Sequence, residues 1–329
     1  MESRRERVLR RSGVAALLRR VPAWHGVLVL GYHRIGDPRT ALHDPNLYSA
    51  TEEDFGLQLD LLAANVEVVA PSRVASLAGR RGRHVALTFD DGYRDNHELA
   101  LPALEARGMT AAFFLPTGYL DRPRIAWWDE IAWMVRRSSA EAVPAGRWLD
   151  VAVPLGNEVE AVVALTNRYK RILAVECEDY LDFLGQATGT GRAPAGEGAS
   201  DWITWDMARD IRARGMEVGG HSIDHPVLAR LDERGQEREV AGCLARLRDE
   251  LGEPVTLFSY PVGTPGAFDD VTKGCLRRSG ITAAFALAGG YVSRRSRDAL
   301  ALPRTAVHHS TTQGRLAAQL AAPALYARW

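Results

Sequence analysis

Short apolar segments alternate with amphipathic helical patterns along most of this chain, and that rhythm constrains the fold more than any other feature. Residues 26–32, 84–89, 110–115, 216–219, 257–260, 283–287 and 302–307 read as buried strands. Between them, 51–65, 99–107, 204–215 and 232–251 carry helical patterns. Thr51 stands at an N-cap with Asp54 three residues on, and Phe55, Leu59 and Leu62 share one face. Thr204 caps the third helix. Val240, Leu244, Leu247 and Leu251 form one stripe of the fourth, which Gly252 stops, as Gly108 stops the second. Alternation of this kind favours right-handed βαβ units and a parallel sheet, either open or closed into a barrel. In both forms chemistry collects at the C-terminal ends of the strands.

One segment breaks the rhythm. Residues 119–200 carry IAWWDEIAWMV, a helical stretch around 159–184, and the Gly/Ala-rich GQATGTGRAPAGEGAS, which reads as a linker. The segment is expected to be a helical insertion over the site. Trp127, Trp128 and Trp133 are expected either to wall a sugar pocket or to pack within the insert. The organisation expected is a basic N-terminal helix over 1–25, a barrel over 26–118 and 201–310, the insertion over 119–200, and a C-terminal helix or tail over 311–329.

Composition narrows the partners. A chain of 329 residues, 46% hydrophobic, can bury the core of one large domain or two ordinary ones. Lys+Arg and Asp+Glu balance at 41 each, so no global field recruits nucleic acid. Cys177, Cys243 and Cys275 are too few and too scattered for a disulfide framework and are expected to be reduced. The apolar run 13–18 is shorter than a secretory core and is cut off by Arg19 and Arg20. A cytoplasmic protein is therefore expected. Its arginine-rich N-terminal helix is suited equally to peripheral contact with an anionic membrane and to packing on the domain.

The strand 84–89 ends in TFDDGYRDN, where two adjacent carboxylates follow an apolar run. Neighbouring strand positions face opposite ways, so Asp90 and Asp91 can be given different surroundings and different tasks. The strand MEVGG runs into HSIDHP, with His221 and His225 four residues apart, a spacing that puts both imidazoles on one face of a helical first turn. Two histidines and one carboxylate make a three-ligand divalent site with positions left open. Zinc would lie roughly 2.0–2.2 Å from such atoms and lower the pKa of a bound water to about 7. Asp91 would then hold the ion and Asp90 would accept the proton. The plainer alternative is an Asx cap of the following helix, supplied by Asp90, Asp91 or Asp95.

Taken in order, TFDDGY, HSIDHP and FSYPVG resemble the first three motifs of the polysaccharide deacetylase family, the NodB-homology or carbohydrate esterase 4 group, and the resemblance runs over about 26–307. It implies a distorted (β/α)7-type barrel and a metal-dependent hydrolase of N- or O-acetyl groups on sugars. Asp90 would be the base, and Asp91, His221 and His225 the ligands of zinc or of cobalt, nickel or manganese. Two departures shift other roles. The late Leu-x-His motif that supplies the family's general acid is absent from ALPRTAVHHS, where Ala306 replaces the leucine. The branch resembling biofilm poly-N-acetylglucosamine deacetylases carries that histidine in a YH motif on the first strand, as in LVLGYHRIG here. His33 is the first choice for general acid and His308 the second. The third motif lacks the arginine found in many members, so Arg304 becomes a candidate to orient Asp90 or to meet substrate.

Val262 would offer a backbone N–H to the oxyanion, and Tyr260, Pro261 and Trp128 would shape the sugar pocket. The expected substrate is an acetylated saccharide. Two rivals stand beside this reading: an amide hydrolase of the same superfamily acting on a small acetamide, ureide or imide, and a carbohydrate-binding protein without catalysis.

Overall fold

In a computed structural model that describes residues 23–325, the apolar segments form a ring of parallel strands. These are β1 (Val27–Tyr32), β2 (His84–Phe89), β3 (Ala112–Leu115), β4 (Glu217–Gly220), β5 (Leu257–Ser259), β6 (Ala283–Ala286), β7 (Leu302–Pro303) and β8 (Thr305–Ala306). Each pairs in parallel with the next from β1 to β7. The ring then returns to its start through β8, which pairs with β1 at Thr305↔Leu30 and Ala306↔Gly31. The expected last strand is thus split at Arg304, where the chain leaves β6 for β1. The α/β barrel of seven strand positions expected from the sequence is the fold observed.

Strand alternation sorts the side chains. Val27, Val29, Ala86, Ala112, Phe114, Leu257, Ala283, Phe285 and Leu302 pack together inside the ring. Their neighbours Leu28, Leu30, Val85, Leu87, Phe113 and Val218 face outward onto helices. Gly219 points inward where a Cβ would lie 2.5 Å from the Phe114 ring, so only glycine fits there. The outer helices are α1 (Glu52–Asn65), α5 (Trp205–Ala213), α6 (Glu233–Leu251), α7 (Asp270–Arg278) and α8 (Gln313–Ala321), with α2 to α4 lying in the insertion described below. The Thr51 and Thr204 hydroxyls accept the expected capping bonds, from Asp54 N and Met207 N. Phe55, Leu59 and Leu62 of α1 are fully buried, each contributing about 1.5–3 kcal/mol of apolar transfer.

The expected helix over 99–107 is displaced. A π-helical turn, Asn96–Ala100, precedes a short α-helix, Leu101–Glu105. The 119–200 segment holds α2 (Trp127–Arg137), α3 (Glu158–Tyr169) and α4 (Cys177–Thr188). Their apolar side chains form a separate cluster that reaches the barrel through Tyr93, Tyr119 and Trp202. The expected linker over 185–200 starts inside α4 and is then pinned, because Arg192 Nε and Ala193 N both donate to Glu130 Oε1 at 2.8 and 3.0 Å. The three cysteines are unpaired, and Cys243 and Cys275 are buried. Most of the expected N-terminal helix lies outside the described residues, and Trp24–His25 is a short strand. Among the described residues, no helix is long and apolar enough to cross a membrane.

Candidate active site

The interior positions of β2 run Ala86, Thr88, Asp90, so the first aspartate of the pair continues the inward face just beyond the strand end. Its backbone N–H still donates to Tyr32 O at 2.9 Å. Below it lies Arg304, fully buried at the break between β7 and β8. Arg304 Nη1 and Nη2 donate to Asp90 Oδ1 and Oδ2 at 2.8 and 2.7 Å, a bidentate pair. Thr88 Oγ1 accepts from Nη1 and Ser259 Oγ from Nη2, and Ser259 Oγ donates to Asp90 Oδ2. Burial alone would raise the Asp90 carboxyl, but the Arg304 guanidinium and then His221 hold it well below the usual carboxylate range. Oδ1, engaged by Arg304 alone, keeps a lone pair for another proton donor. Fully buried and held against both Asp90 oxygens, Arg304 is placed to orient that carboxylate.

The second aspartate turns away. Asp91 and Gly92 both adopt left-handed backbone, with φ of 72° and 68°. Aspartate and glycine are among the residues that tolerate this region best, which accounts for the DDG order at the strand end. The Asp91 carboxylate then meets His221 Nε2 at 3.3 Å and His225 Nε2 at 3.4 Å. One ligand atom from each of the three residues lies within 4.8 Å of the others, and all three side chains are buried. His221 Nδ1 lies 2.7 Å from Ser259 O, which fixes that nitrogen as the donor and turns Nε2 toward Asp91. This donor set, with the free nitrogen of His221 aimed inward, fits a divalent cation.

The histidines converge by a route other than the one the spacing suggested. Residues 221–225 are not helical; Ser222 and His225 have φ of 66° and 54°, and the loop bends both rings inward, their centroids 4.7 Å apart. Glu239 of α6 accepts from Ile223 N and Asp224 N, and Trp127 Nε1 donates to His225 O, so the loop is held from two sides. Asp91, Ser222, His225 and Val262 are the only non-glycine residues at positive φ among the described residues, and each lies at this site or in its supporting loop. Such backbone costs of order 1–3 kcal/mol per residue, so its concentration here marks a functional centre. The Asx-cap alternative finds no support. Asp95 caps nothing and instead accepts from Arg34 Nε and Ile35 N.

A cavity of about 170 Å³ opens above these groups. His33, Asp90, Asp91, His221, His225, Tyr260 and Val262 line its barrel side, and Trp127, Trp128, Thr166 and Lys170 its insertion side. The His33 backbone is clamped by Ser49 Oγ, which accepts from its N–H, and by Asn96 Nδ2, which donates to its carbonyl from the π-helical turn. His308 does not line the cavity; its Nδ1 lies 3.0 Å from Ser310 Oγ. Among the described residues, no acceptor meets the Val262 N–H. Tyr260 lines the cavity but is stacked on Phe268 and almost wholly buried, while Pro261 is buried outside the lining. The tryptophans pack rather than stand free. Trp128 is 5% exposed, with its edge on His225 and its Nε1 donating to Tyr93 OH, and Trp133 lies away from the cavity.

Sequence reasoning missed Ser259, Glu239, Thr166 and Lys170. Ser259 sits inside the quoted FSYPVG and, by strand alternation, faces the same side as Leu257, a signal that could have found it. The other three carry no local signal.

No curated protein sequence matches the chain. Solved structures do. IcaB from Ammonifex degensii aligns with a TM-score of 0.58 at 23% identity, covering 91% of this chain and 98% of that one. The Streptococcus pyogenes deacetylase PplD, solved in complex with acetate, gives 0.58 at 16% identity, covering 89% and 97%. A de-N-acetylase from Aggregatibacter actinomycetemcomitans gives 0.54 at 16%, covering 88% and 98%. At these identities the likeness establishes a shared fold. The family comes from sequence: the model described as "Polysaccharide deacetylase" matches residues 78–142 and 183–284, just over half of the chain, in two blocks separated by all of α3 and the first half of α4. The strand-end aspartates, the histidine loop and the β5 serine all fall within those blocks, and the chain belongs to the polysaccharide deacetylase family.

Proposed function

We propose that this deacetylase is a metal-dependent hydrolase that removes the N-acetyl group of an acetamido sugar in a saccharide or glycan precursor. The observation that carries the reading is the convergence of Asp91, His221 and His225 beside an Asp90 locked by Arg304, in one cavity. Asp91, His221 and His225 would hold a divalent ion, zinc by preference for this N/O set, which when bound polarises the acetyl carbonyl and a water.

The chain's own groups account for the rest. Asp90 stays ionised beside Arg304, and its Oδ1 accepts the proton of the attacking water. The unpartnered Val262 N–H, presented by a strained backbone, donates to the developing oxyanion. His33, clamped at the mouth of β1, protonates the leaving nitrogen. Its place in the lining, and the absence of His308 from it, support the first choice of acid. The packed Trp127 and Trp128 exclude water from one side.

The test is acetate release by the purified protein from N-acetylglucosamine, its oligomers and a nucleotide-linked acetamido sugar, with zinc added or chelator present. Chelator-sensitive release is the expected result. Saccharide binding without release, with metal shown to be bound, would sink the reading in favour of a non-catalytic carbohydrate-binding protein.

A further inference from the structure

A second cavity, of about 320 Å³, adjoins the first and shares Lys170 and Val262 with it. Its lining includes three cations, Lys170, Arg171 and Arg230, together with Asn167 and Thr264, and no carboxylate. Among the described residues, none of the three cations has a carboxylate partner within 4.0 Å. Asp44 and Asp91 act on Lys170 only from farther across the first cavity.

A third cavity offers a contrast. At about 500 Å³ it lies on the far side of the Trp127–Tyr169 stack, and its charges are already satisfied. Arg192 pairs with Glu130 and Glu178, Arg124 pairs with Asp224, and Glu239 accepts two backbone N–H bonds. That cavity is a self-neutralised seam, whereas the basic one has charge to spare.

Cations at helix ends have an ordinary explanation, since Lys170 and Arg171 follow the last turn of α3 and favour its dipole. The dipole does not explain why Lys170 is half buried in the catalytic cavity, nor why Arg230, from a separate 3₁₀ turn, closes on the same space. A half-buried unpaired ammonium is costly unless an anion joins it. Three donors around one pocket suit a phosphate, with its several acceptor oxygens, better than a single carboxylate.

Building on the proposed deacetylase reading, we infer that the substrate is an acetamido sugar carrying a phosphate ester, seated with its acetyl group over Asp91, His221 and His225 and its phosphate among Lys170, Arg171 and Arg230. A sugar nucleotide and a lipid-linked diphosphate sugar share this chemistry.

The experiment compares kcat/KM of the zinc-loaded full chain on methyl N-acetylglucosaminide, uncharged N-acetylglucosamine oligomers, N-acetylglucosamine 1-phosphate, the uridine diphosphate sugar and a short-chain polyprenyl diphosphate sugar. Equilibrium binding of the 1-phosphate and of N-acetylglucosamine is measured in parallel. The expected result is a preference of about tenfold or more for phosphorylated substrates, shrinking as salt rises. In an Arg171→Ala/Arg230→Ala double variant, the ratio of charged to neutral kcat/KM should fall toward one. Should that variant not fold, the salt dependence of the wild-type ratio decides. Equal kcat/KM on neutral and charged substrates overturns the inference while leaving the deacetylase reading intact. Absence of acetate release from every substrate removes the deacetylase reading, and the binding arm then still judges the phosphate site. Binding of the 1-phosphate no tighter than that of the free sugar, or undiminished in the double variant, overturns it. Release from the nucleotide or from the lipid-linked sugar distinguishes the two sources.

Discussion

The two walls of the catalytic cavity are built on opposite terms. On the barrel wall the groups around Asp90 are tied to one another: Asp90 by Arg304 and Ser259, Arg304 by Asp90, Thr88 and Ser259, and His221 by the Ser259 carbonyl, while His225 Nδ1 and Arg304 Nε are buried without a partner. On the insertion wall the Thr166 hydroxyl is buried with no partner and Lys170 has no ion pair, while the tryptophans between them are packed by neighbours of their own. The difference separates two jobs. Groups that do chemistry need fixed positions before substrate arrives, so the barrel satisfies them internally. Groups left unsatisfied lower stability until a ligand completes them, so the insertion wall reads as the side that recognises.

The sharpest way to break this contrast is to remove a ligand from the barrel wall. His225→Ala should abolish both zinc binding and acetate release, read by metal analysis after dialysis and by turnover. Full activity without His225 would dissolve the proposed metal centre. Next in size are the two halves of the buried pair. Asp90→Asn should cost about 10²–10⁴-fold in kcat while zinc is retained. Arg304→Met leaves Asp90 as an uncompensated buried charge and should destabilise by about 3–5 kcal/mol in urea unfolding. If Arg304→Met unfolds at the same urea concentration as wild type, the pair does not hold the barrel mouth.

How the two walls were legible follows from the same division. The seven strand segments were readable because most are short, largely buried apolar runs, and DD and HxxxH stood out at strand ends where chemistry collects. Distances in sequence hid the rest. The run LPRTAV looks continuous, yet it must pass from β6 to β1 and breaks at Arg304, a consequence of ring closure that no local pattern carries. The histidine pair looked helical because the spacing is i, i+4. The loop instead uses left-handed backbone at Ser222 and His225, residues that give no warning of it, and is held by Glu239 from another helix. On the insertion wall Thr166 and Lys170 share the i, i+4 relation on α3, but nothing in the sequence said which face of α3 meets the barrel.

A pH experiment sharpens the contrast from inside the insertion. Asp129 of α2 is buried and accepts from Tyr93 OH at 2.6 Å, the same hydroxyl that takes the Trp128 indole N–H. Burial pushes its carboxyl from 3.8 up to about 7, against the opposing pull of Arg34 and the Tyr93 bond. Between those values the folded chain keeps a proton that the unfolded chain has released. Stability should therefore fall as pH rises from about 4 to about 7, by on the order of 4 kcal/mol when complete. Asp129→Asn should flatten that slope in urea titrations at pH 5 and pH 8. An unchanged slope would show that Asp129 is ionised throughout.

The smallest effects discriminate best between the walls, because they compare two hydroxyls. Ser259→Ala on the barrel wall strips a bond each from Asp90 and Arg304 and should destabilise by about 1–3 kcal/mol, since both partners stay buried. Thr166→Val on the insertion wall keeps the shape and deletes a hydroxyl that has no partner, so stability should hold or rise by up to about 1 kcal/mol. Its cost should appear instead as a raised KM with little change in kcat, the mark of a group that binds ground state and transition state alike. Matching losses of stability in the two variants would mean that the Thr166 hydroxyl serves the fold as Ser259 does, and the division of labour between the walls would fail.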